Sequence, residues 1–219
     1  MGEVDTRLLD RLLPVLAGML DVRFVYTGGC WLYGPTGASP AKETSAFDPL
    51  PAFAWMVPSL QRVLTARDVI GLGVHPAMVY DRRGGVFASF MTQARQGGPV
   101  LVVGSKSVRW PLVHADDLAG LYALVLERGQ GGHSYHGAAI EATPVGELAA
   151  KIARRFGGPD CHVQVISADE VATMRGEWAR GYGLDQAMRS ERAGPELGWR
   201  PVHTDAHGVV GSLDIPLRG

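Results

Sequence analysis

Two residues that can move protons follow an apolar run in the middle of the sequence. Residues 69–74 read VIGLGV, a run typical of a buried strand, and His75 and Tyr80 come after it. Histidine has an ordinary pKa close to neutral pH, and a tyrosine hydroxyl can donate or accept a hydrogen bond. We therefore predict His75 and Tyr80 as the candidate catalytic acid/base residues.

A second apolar run ends in glycines and aromatic residues. Residues 22–27 read VRFVYT, and Gly28, Gly29, Trp31 and Tyr33 follow them. Ligands of open parallel sheets lie beyond the carboxyl ends of the strands, so this segment predicts a binding pocket. The glycines would leave room, and the aromatic side chains would supply contact area. The alternative is that the glycines only relieve crowding and the aromatic side chains belong to the core.

The elements that must position these residues alternate along the chain. Apolar residues recur at helical spacing over residues 4–20, and a second helix is predicted over residues 52–66. Short apolar runs typical of strands lie between this and further helical segments. Such alternation favours an α/β fold with a mostly parallel sheet and helices on both faces.

Composition excludes several classes of function. The 219 residues are 46% hydrophobic and carry a formal net charge of −1, which gives no electrostatic basis for binding nucleic acid or an anionic membrane. Cys30 and Cys161 have no metal-type spacing, so we expect no metal site. Two distant cysteines fit a reduced compartment, and we expect a cytoplasmic protein.

Four segments resemble one family, in the order in which that family has them. They are FVYTGGCWLYG at residues 24–34, GVHPAMVYD at 73–81, VRWPLVHADDLAGLY at 108–122 and SERAGPELGWRP at 190–201. In these segments the chain is similar to the extended short-chain dehydrogenase/reductase superfamily, in its NAD-dependent epimerase/dehydratase group. The resemblance implies a Rossmann-like fold and a homodimer formed through the helices at residues 4–20 and 52–66. It also implies that Arg109 contacts the diphosphate of a nucleotide-sugar substrate; the alternative is an arginine on the surface or in an ion pair.

The chain departs from this family at the residues that hold the cofactor and perform catalysis. No G-x-x-G-x-x-G turn follows a strand, although the family binds its dinucleotide on such a turn. The family's serine or threonine position holds Gly29, and its tyrosine and lysine positions hold Trp55 and Ser59, which cannot transfer protons in the same way. His75 stands at the family's arginine. We therefore expect no cofactor.

These departures predict an N-terminally truncated version of the family scaffold. Residues 1–115 would form a remnant Rossmann-like core. Residues 116–219 would add the remaining core helix and a small C-terminal substrate-type region, within a single compact domain. The predicted substrate-binding residues at the strand ends are Gly28, Gly29, Trp31, Tyr33, Trp55, Pro76 and Arg109.

Three functions remain open at this point. The first is a cofactor-independent, non-redox enzyme of isomerase, lyase or cyclase type that acts on a small organic molecule. The second is a non-catalytic pseudoenzyme or dimerising partner protein. The third is part of an NAD(P)-dependent epimerase or reductase, although the replaced tyrosine and lysine argue against that chemistry in the chain as it stands. The partners expected are a small-molecule ligand and a second copy of the chain.

Overall fold

Strands and helices alternate through the computed structural model, which describes residues 2–214. The strands are β1 (Arg23–Thr27), β2 (Ile70–Pro76), β3 (Met78–Tyr80), β4 (Val100–Val103), β5 (Arg109–His114), β6 (Ser134–Gly137), β7 (Ile140–Pro144) and β8 (Val163–Ile166). The helices are α1 (Gly2–Ala17), α2 (Met56–Leu64), α3 (Ala88–Arg95), α4 (Ala115–Arg128), α5 (Val145–Gly157), α6 (Ala168–Arg175), α7 (Ala193–Leu197) and α8 (Val209–Ser212).

The strands form three small sheets, and most neighbouring strands are parallel. One sheet has the order β1-β2-β6, a second the order β3-β5-β7, and a third joins β4 to β8. Only β5 and β7 pair in the antiparallel direction among the described strands. The chain passes from the first sheet to the second at Ala77, directly after Pro76, which has no N–H to donate. The α/β, Rossmann-like prediction is confirmed.

The helices cover both faces of the first sheet. On one face, an added Cβ at Gly73 would meet Leu60 of α2. On the other, an added Cβ at Gly137 would meet Leu118 and Leu121 of α4. One hydrophobic cluster joins strand residues such as Leu72 to residues from the last third of the chain, including Leu148, Leu197 and Trp199. The core therefore draws on both of the predicted segments, 1–115 and 116–219.

The helix predicted over residues 52–66 is shorter in the structure. A 3-10 turn covers Pro51–Phe53, and the α-helix α2 begins at Met56. Pro58 lies in the first turn of α2, where backbone N–H groups have no intrahelical partner, so the proline is tolerated there. The helix begins late enough that Phe53 and Met56 face the end of β1, which matters for the site.

Helix α1 has one buried and one exposed apolar side. Leu9 is buried against a small cluster that includes Leu60 and Val63 of α2. On the outer side, Val4, Leu8 and Val15 are more than half exposed. The helix ends at Ala17 rather than at residue 20.

Strand β1 is paired along only one of its edges within residues 2–214. Its partner is β2, in parallel register from Arg23 opposite Ile70 to Thr27 opposite Val74. The carbonyl of Val22 and the amide of Gly28 both bond to β2. Because successive residues of a strand alternate in direction, the backbone groups of Arg23, Val25 and Thr27 face the other, open edge.

Candidate functional site

A cavity of about 250 Å³ lies where β1 and β2 end. The 3-10 turn Cys30–Leu32 follows β1 and forms one side of it, and the first residues of β3 form another. The lining residues are Gly28, Gly29, Cys30, Trp31, Leu32, Phe53, Met56, Pro76, Ala77 and Met78. Every side chain in this lining is apolar or, at Cys30, a thiol. Burial raises the pKa of the Cys30 thiol to about 12, so it is neutral at physiological pH.

Trp31 forms a rigid aromatic wall of the cavity. Its ring centroid lies 5.5 Å from that of Phe53 and 5.3 Å from that of Tyr182, which meets it edge-on. Gly181 lets the indole lie directly on the backbone, since a Cβ there would come within 2.4 Å of the ring. The ring centroid of Trp178 lies 6.3 Å from that of Trp31. The 3-10 segment Glu177–Gly183 therefore fixes the orientation of Trp31.

A buried glutamine holds the loop after β1 in place. The side-chain amide nitrogen of Gln186 donates to the carbonyl of Cys30 at 3.0 Å, and also to the carbonyls of Tyr33 and Gly34. The backbone amide of Gln186 bonds to the carbonyl of Arg109. This C-terminal segment thus ties the cavity wall to β5, far away in the sequence.

Two buried histidines and a tyrosine lie side by side behind Gly28. The Tyr33 hydroxyl donates to Nε2 of His136 at 2.8 Å, and Nδ1 of His136 donates to the carbonyl of Arg189 at 3.0 Å. His75 is fully buried, and neither of its ring nitrogens has a hydrogen-bond partner in the described part of the chain. A Cβ on Gly28 would lie 2.3 Å from Nδ1 of His75, so only glycine fits opposite this imidazole.

Burial keeps both imidazoles neutral. Loss of solvation, with a smaller contribution from the charge of His136, lowers the pKa of His75 to about 3. Loss of solvation likewise lowers the pKa of His136 to about 4. At neutral pH each ring can donate one hydrogen bond and accept another, but neither is a cation.

Tyr80 lies in a different cluster from His75. Its ring packs against Phe87 and lies 5.2 Å, edge-on, from the ring of His114. Burial raises the pKa of Tyr80 to about 12, with smaller contributions from the charges of Asp117 and Asp205. The structure therefore does not bring the two predicted acid/base residues together.

The ends of β3 and β5 are closed by a hydrogen-bonded network centred on Asp117. Its carboxylate accepts from the amides of Val202 and His203, at 3.0 and 2.9 Å, and from Nδ1 of His203 at 3.0 Å. The ring of His203 stacks on that of His114 at 3.8 Å, and Nδ1 of His114 accepts from the amide of Asp116. Sequence analysis did not identify this network as a unit.

Arg109 forms its side-chain hydrogen bonds with Asp185 and Gly37, away from the cavity lining. Its guanidinium forms a two-pronged ion pair with Asp185, at 2.8 and 2.6 Å, and also donates to the carbonyl of Gly37 at 2.6 Å. The hydrogen bond to Asp185 raises the pKa of Arg109 further. The residue borders a separate surface groove and does not line the cavity at the strand ends.

Four of the predicted site residues line the cavity, and the other five do not. Gly28, Gly29, Trp31 and Pro76 form part of the lining. The five outside it are Tyr33, Trp55, His75, Tyr80 and Arg109. Trp55 is half-buried, and its Nε1 donates to the carbonyl of Ala52.

Six lining residues were not among the predicted site residues: Cys30, Leu32, Phe53, Met56, Ala77 and Met78. Cys30, Leu32, Ala77 and Met78 are near neighbours of the predicted strand ends, so extending those segments would have found them. Phe53 and Met56 carry no such signal, because their approach to β1 depends on where α2 begins.

The described residues do not fit the pyrophosphate of a dinucleotide. That group needs free amides in a glycine-rich turn at the start of a helix. At the β5–α4 junction the helix begins directly at His114, which caps the amide of Asp116. At the β8–α6 junction Ser167 caps the amide of Glu170. Within residues 2–214, strand β1 leads into the 3-10 turn at Cys30 rather than into an α-helix.

Two features are absent from residues 2–214. No helix in this range is both long and apolar enough to cross a membrane. No group of three or more histidine, cysteine, aspartate or glutamate side chains in it is arranged to hold a metal ion.

The parallel sheet, the helices on its two faces and the cavity beyond its strand ends define a Rossmann-like α/β protein. The chain belongs to the NAD dependent epimerase/dehydratase family, whose sequence pattern matches residues 2–137. This confirms the family resemblance of the four motifs.

Known proteins similar to the chain fall into two groups. An uncharacterized protein of Schizosaccharomyces pombe and one of Saccharomyces cerevisiae are each 32% identical over 111 residues, which is 51% of this chain and 37% and 36% of theirs. Among solved structures, a double-mutant dTDP-glucose 4,6-dehydratase of Streptomyces venezuelae with NAD bound has a TM-score of 0.78 at 21% identity. The UDP-glucose 4-epimerase of Thermus thermophilus in complex with NAD has a TM-score of 0.70 at 22% identity.

The alignments with these two structures cover nearly all of this chain but only about two thirds of each neighbouring structure. The alignments cover 96% of this chain and 66% of the dehydratase, and 92% of this chain and 67% of the epimerase. The chain spans little more than a third of the length of the curated relatives that it matches. At these identities the structural likeness establishes the fold.

Proposed function

We propose that the chain binds a small organic molecule in the cavity at the ends of β1 and β2, and that its reaction there is non-redox. The reaction type would be an isomerisation, an elimination or a cyclisation that needs no nicotinamide cofactor. The observation that carries this proposal is the position of the cavity, because ligands of open α/β sheets bind beyond the carboxyl ends of the strands. The poor fit of residues 2–214 to a dinucleotide pyrophosphate supports the cofactor-independent part.

The residues near the cavity limit the chemistry available there. His75 lies behind Gly28 and stays neutral, so it would act by hydrogen bonding rather than as a cation. Tyr80 also stays protonated, but it packs against Phe87 and His114, outside the cavity lining, so it takes no part there. Neutral hydrogen-bonding groups and apolar walls are what the site offers. Such groups suffice where the substrate is intrinsically reactive and the cavity mainly holds it in a productive geometry.

A matched set of three probes tests binding in the cavity. They are 1-naphthol, 1-naphthyl phosphate and 1-naphthylmethylamine, which share one ring system and differ in charge. We expect isothermal titration calorimetry to detect at least one of them, and we expect Gly29→Leu to abolish that binding. Gly29 suits this test because a Cβ there meets no heavy atom within 4 Å, so the leucine can enter the cavity without a backbone clash. Gly120→Leu, on the exposed side of α4, is the control.

The outcomes of that titration are distinct. If none of the three probes binds, or if all binding survives Gly29→Leu in a folded protein, the cavity is not a binding site. Circular dichroism and thermal unfolding establish that both leucine variants retain the fold.

A second candidate is the NAD-dependent chemistry of the structural neighbours, and the open edge of β1 favours it. An edge with unpaired backbone groups can accept a further strand, and with it further cofactor-binding residues. Calorimetric titration with NADH and NADPH tests whether the residues of this chain bind the cofactor by themselves. We expect a dissociation constant above about 1 mM, a binding free energy weaker than about 4 kcal/mol. Micromolar affinity would favour the second candidate.

We also propose that the chain forms a homodimer through the helices at residues 4–20 and 52–66. The exposed apolar side of α1, with Val4, Leu8 and Val15, supports this, because such a surface is stabilised by a partner. Light scattering at tens of micromolar should give twice the mass of one chain for the native sequence. The variant Leu8→Glu should give the mass of a monomer. A monomeric native protein would refute the proposal.

A further inference from the structure

We infer that the cavity at the ends of β1 and β2 takes an uncharged, ring-containing and mainly apolar ligand, and not a nucleotide-sugar diphosphate. This inference rests on the proposed function, because it concerns the ligand of the same cavity. It specifies a ligand class different from the sugar nucleotides that the structural neighbours' names record.

The first support is the charge of the lining. Its ten residues include no acidic or basic side chain, and the one ionisable group, the Cys30 thiol, is held neutral by burial. That thiol contacts the sulfur of Met78 at 3.7 Å rather than an ionic partner. A charged ligand entering such a lining would lose its hydration without gaining a counter-charge, which is costly.

The second support is the shape of one wall. The indole of Trp31 is held between Phe53, Tyr182 and Trp178, and it rests on the backbone at Gly181. A fixed aromatic surface favours a flat ring that can stack on it or meet it edge-on. Because the indole is already ordered, little side-chain entropy is lost when a ring packs against it.

The third support is the state of Arg109, the residue that the family resemblance connects with a diphosphate. Both prongs of its guanidinium bind Asp185, and a further nitrogen–oxygen contact goes to the carbonyl of Gly37. Asp185 also accepts from the Arg109 backbone amide at 2.9 Å. A diphosphate would therefore have to compete with the Asp185 carboxylate and the Gly37 carbonyl for Nε and Nη2 of Arg109.

The fourth support is size. The cavity volume of about 250 Å³ is larger than the roughly 150 Å³ of an apolar cavity that binds benzene. That space suits a ligand of one or two rings.

The three naphthyl probes, together with dTDP-glucose, test the inference directly. At pH 7, we expect 1-naphthol to bind at least tenfold more tightly than 1-naphthyl phosphate or 1-naphthylmethylamine, as measured by calorimetry. Trp31→Ala should weaken 1-naphthol binding at least tenfold, and Gly29→Leu should abolish it. Gly120→Leu should leave the affinity within a factor of two of the native value.

The results that overturn the inference differ from those that overturn the proposed function. If 1-naphthyl phosphate or dTDP-glucose binds as tightly as 1-naphthol, and Gly29→Leu abolishes that binding, the cavity is a binding site for anions and the inference is wrong. If Trp31→Ala leaves 1-naphthol affinity unchanged, the aromatic wall does not recognise the ring, and the inference is again wrong. If no probe binds, both the inference and the proposed function fail.

Discussion

The ends of β3 and β5 differ from the ends of β1 and β2 in how their buried polar side chains are bonded. At the ends of β3 and β5, Asp117, His114 and His203 form a network of hydrogen bonds and a stacked ring pair. At the ends of β1 and β2, a cavity remains, its lining carries no charge, and His75 behind it has no partner in the part of the chain that the structure describes.

The two regions differ in whether their buried polar groups are hydrogen-bonded. Asp117 has three donors, whereas the ring nitrogens of His75 have no partner within residues 2–214. A buried carboxylate with three donors contributes to stability, whereas a buried imidazole with none costs free energy. An unsatisfied buried group of this kind calls for a specific explanation, and its position behind a cavity lining provides one. Four experiments test this contrast.

The largest effect is expected at Asp117. Replacing it with alanine leaves the amides of Val202 and His203 and the His203 ring without their acceptor, so Asp117→Ala should lower the free energy of unfolding by about 3 kcal/mol. Urea denaturation followed by circular dichroism measures this. The control is Asp116→Ala, whose carboxylate is exposed to solvent and should contribute less than about 0.5 kcal/mol. Similar losses for both variants would contradict the contrast.

The next largest effect is expected in the difference in stability between alanine variants at Gly28 and Gly29. An alanine Cβ at position 28 would lie 2.3 Å from the His75 ring, so Gly28→Ala should destabilise the protein by about 2 kcal/mol through overpacking. Gly29 has an extended backbone with φ of 171°, and a Cβ there meets open space, so Gly29→Ala should change stability by less than about 1 kcal/mol. Thermal unfolding of the pair checks this. Equal stabilities would show that the imidazole moves aside.

The two buried histidines should respond differently to the same substitution. His136→Leu removes the partner of the Tyr33 hydroxyl and of the Arg189 carbonyl, and it should cost about 1.5 kcal/mol. His75→Leu removes two nitrogens that make no hydrogen bond in the described residues, so stability should stay level or rise. Chemical denaturation of both variants gives the comparison. A large loss at His75 would mean that its imidazole does have a partner.

The fourth experiment compares the histidines through the pH dependence of stability, whose slope is small near pH 7 and grows as the pH falls below 6.5. The folded protein holds His75 and His136 neutral, with pKa values near 3 and 4, whereas in the unfolded chain they titrate near 6.5. The unfolded state therefore binds more protons below pH 6.5, and stability that is complete at pH 7 is lost as the pH falls. Each histidine adds at most about 1.4 kcal/mol per pH unit. Denaturation between pH 7 and 5 should show this slope in the native protein and a shallower one in the double variant H75L/H136L.

Much of the fold was predictable because its signals are local. Short apolar runs and helical spacing in the sequence predicted the alternation of strands and helices, and the four motifs predicted the family. The start of α2 was predicted four residues too early, because a 3-10 turn at Pro51–Phe53 takes up the first part of the segment. Helix propensity within residues 52–66 does not distinguish a 3-10 turn from the first turn of an α-helix.

The site was less predictable, because it depends on contacts between distant residues. Gly28, Gly29, Trp31 and Pro76 could be placed from the rule that ligands lie at strand ends. The engagement of Arg109 by Asp185, 76 residues away, has no sequence signal. Nor does the separation of His75 from Tyr80, since the chain moves from one sheet to another between them. Local sequence identified the elements, and tertiary packing decided which side chains meet.

The open edge of β1 also has a consequence for isotope exchange. The amides of Phe24, Tyr26 and Gly28 face β2, whereas those of Arg23, Val25 and Thr27 face outward. In deuterated water the strand should therefore exchange its amide hydrogens in a two-residue rhythm, slow at the even positions and fast at the odd ones. Any strand that adds to this edge would slow the odd positions alone, so the exchange pattern of six residues reports whether β1 is an edge strand or a central strand of the sheet.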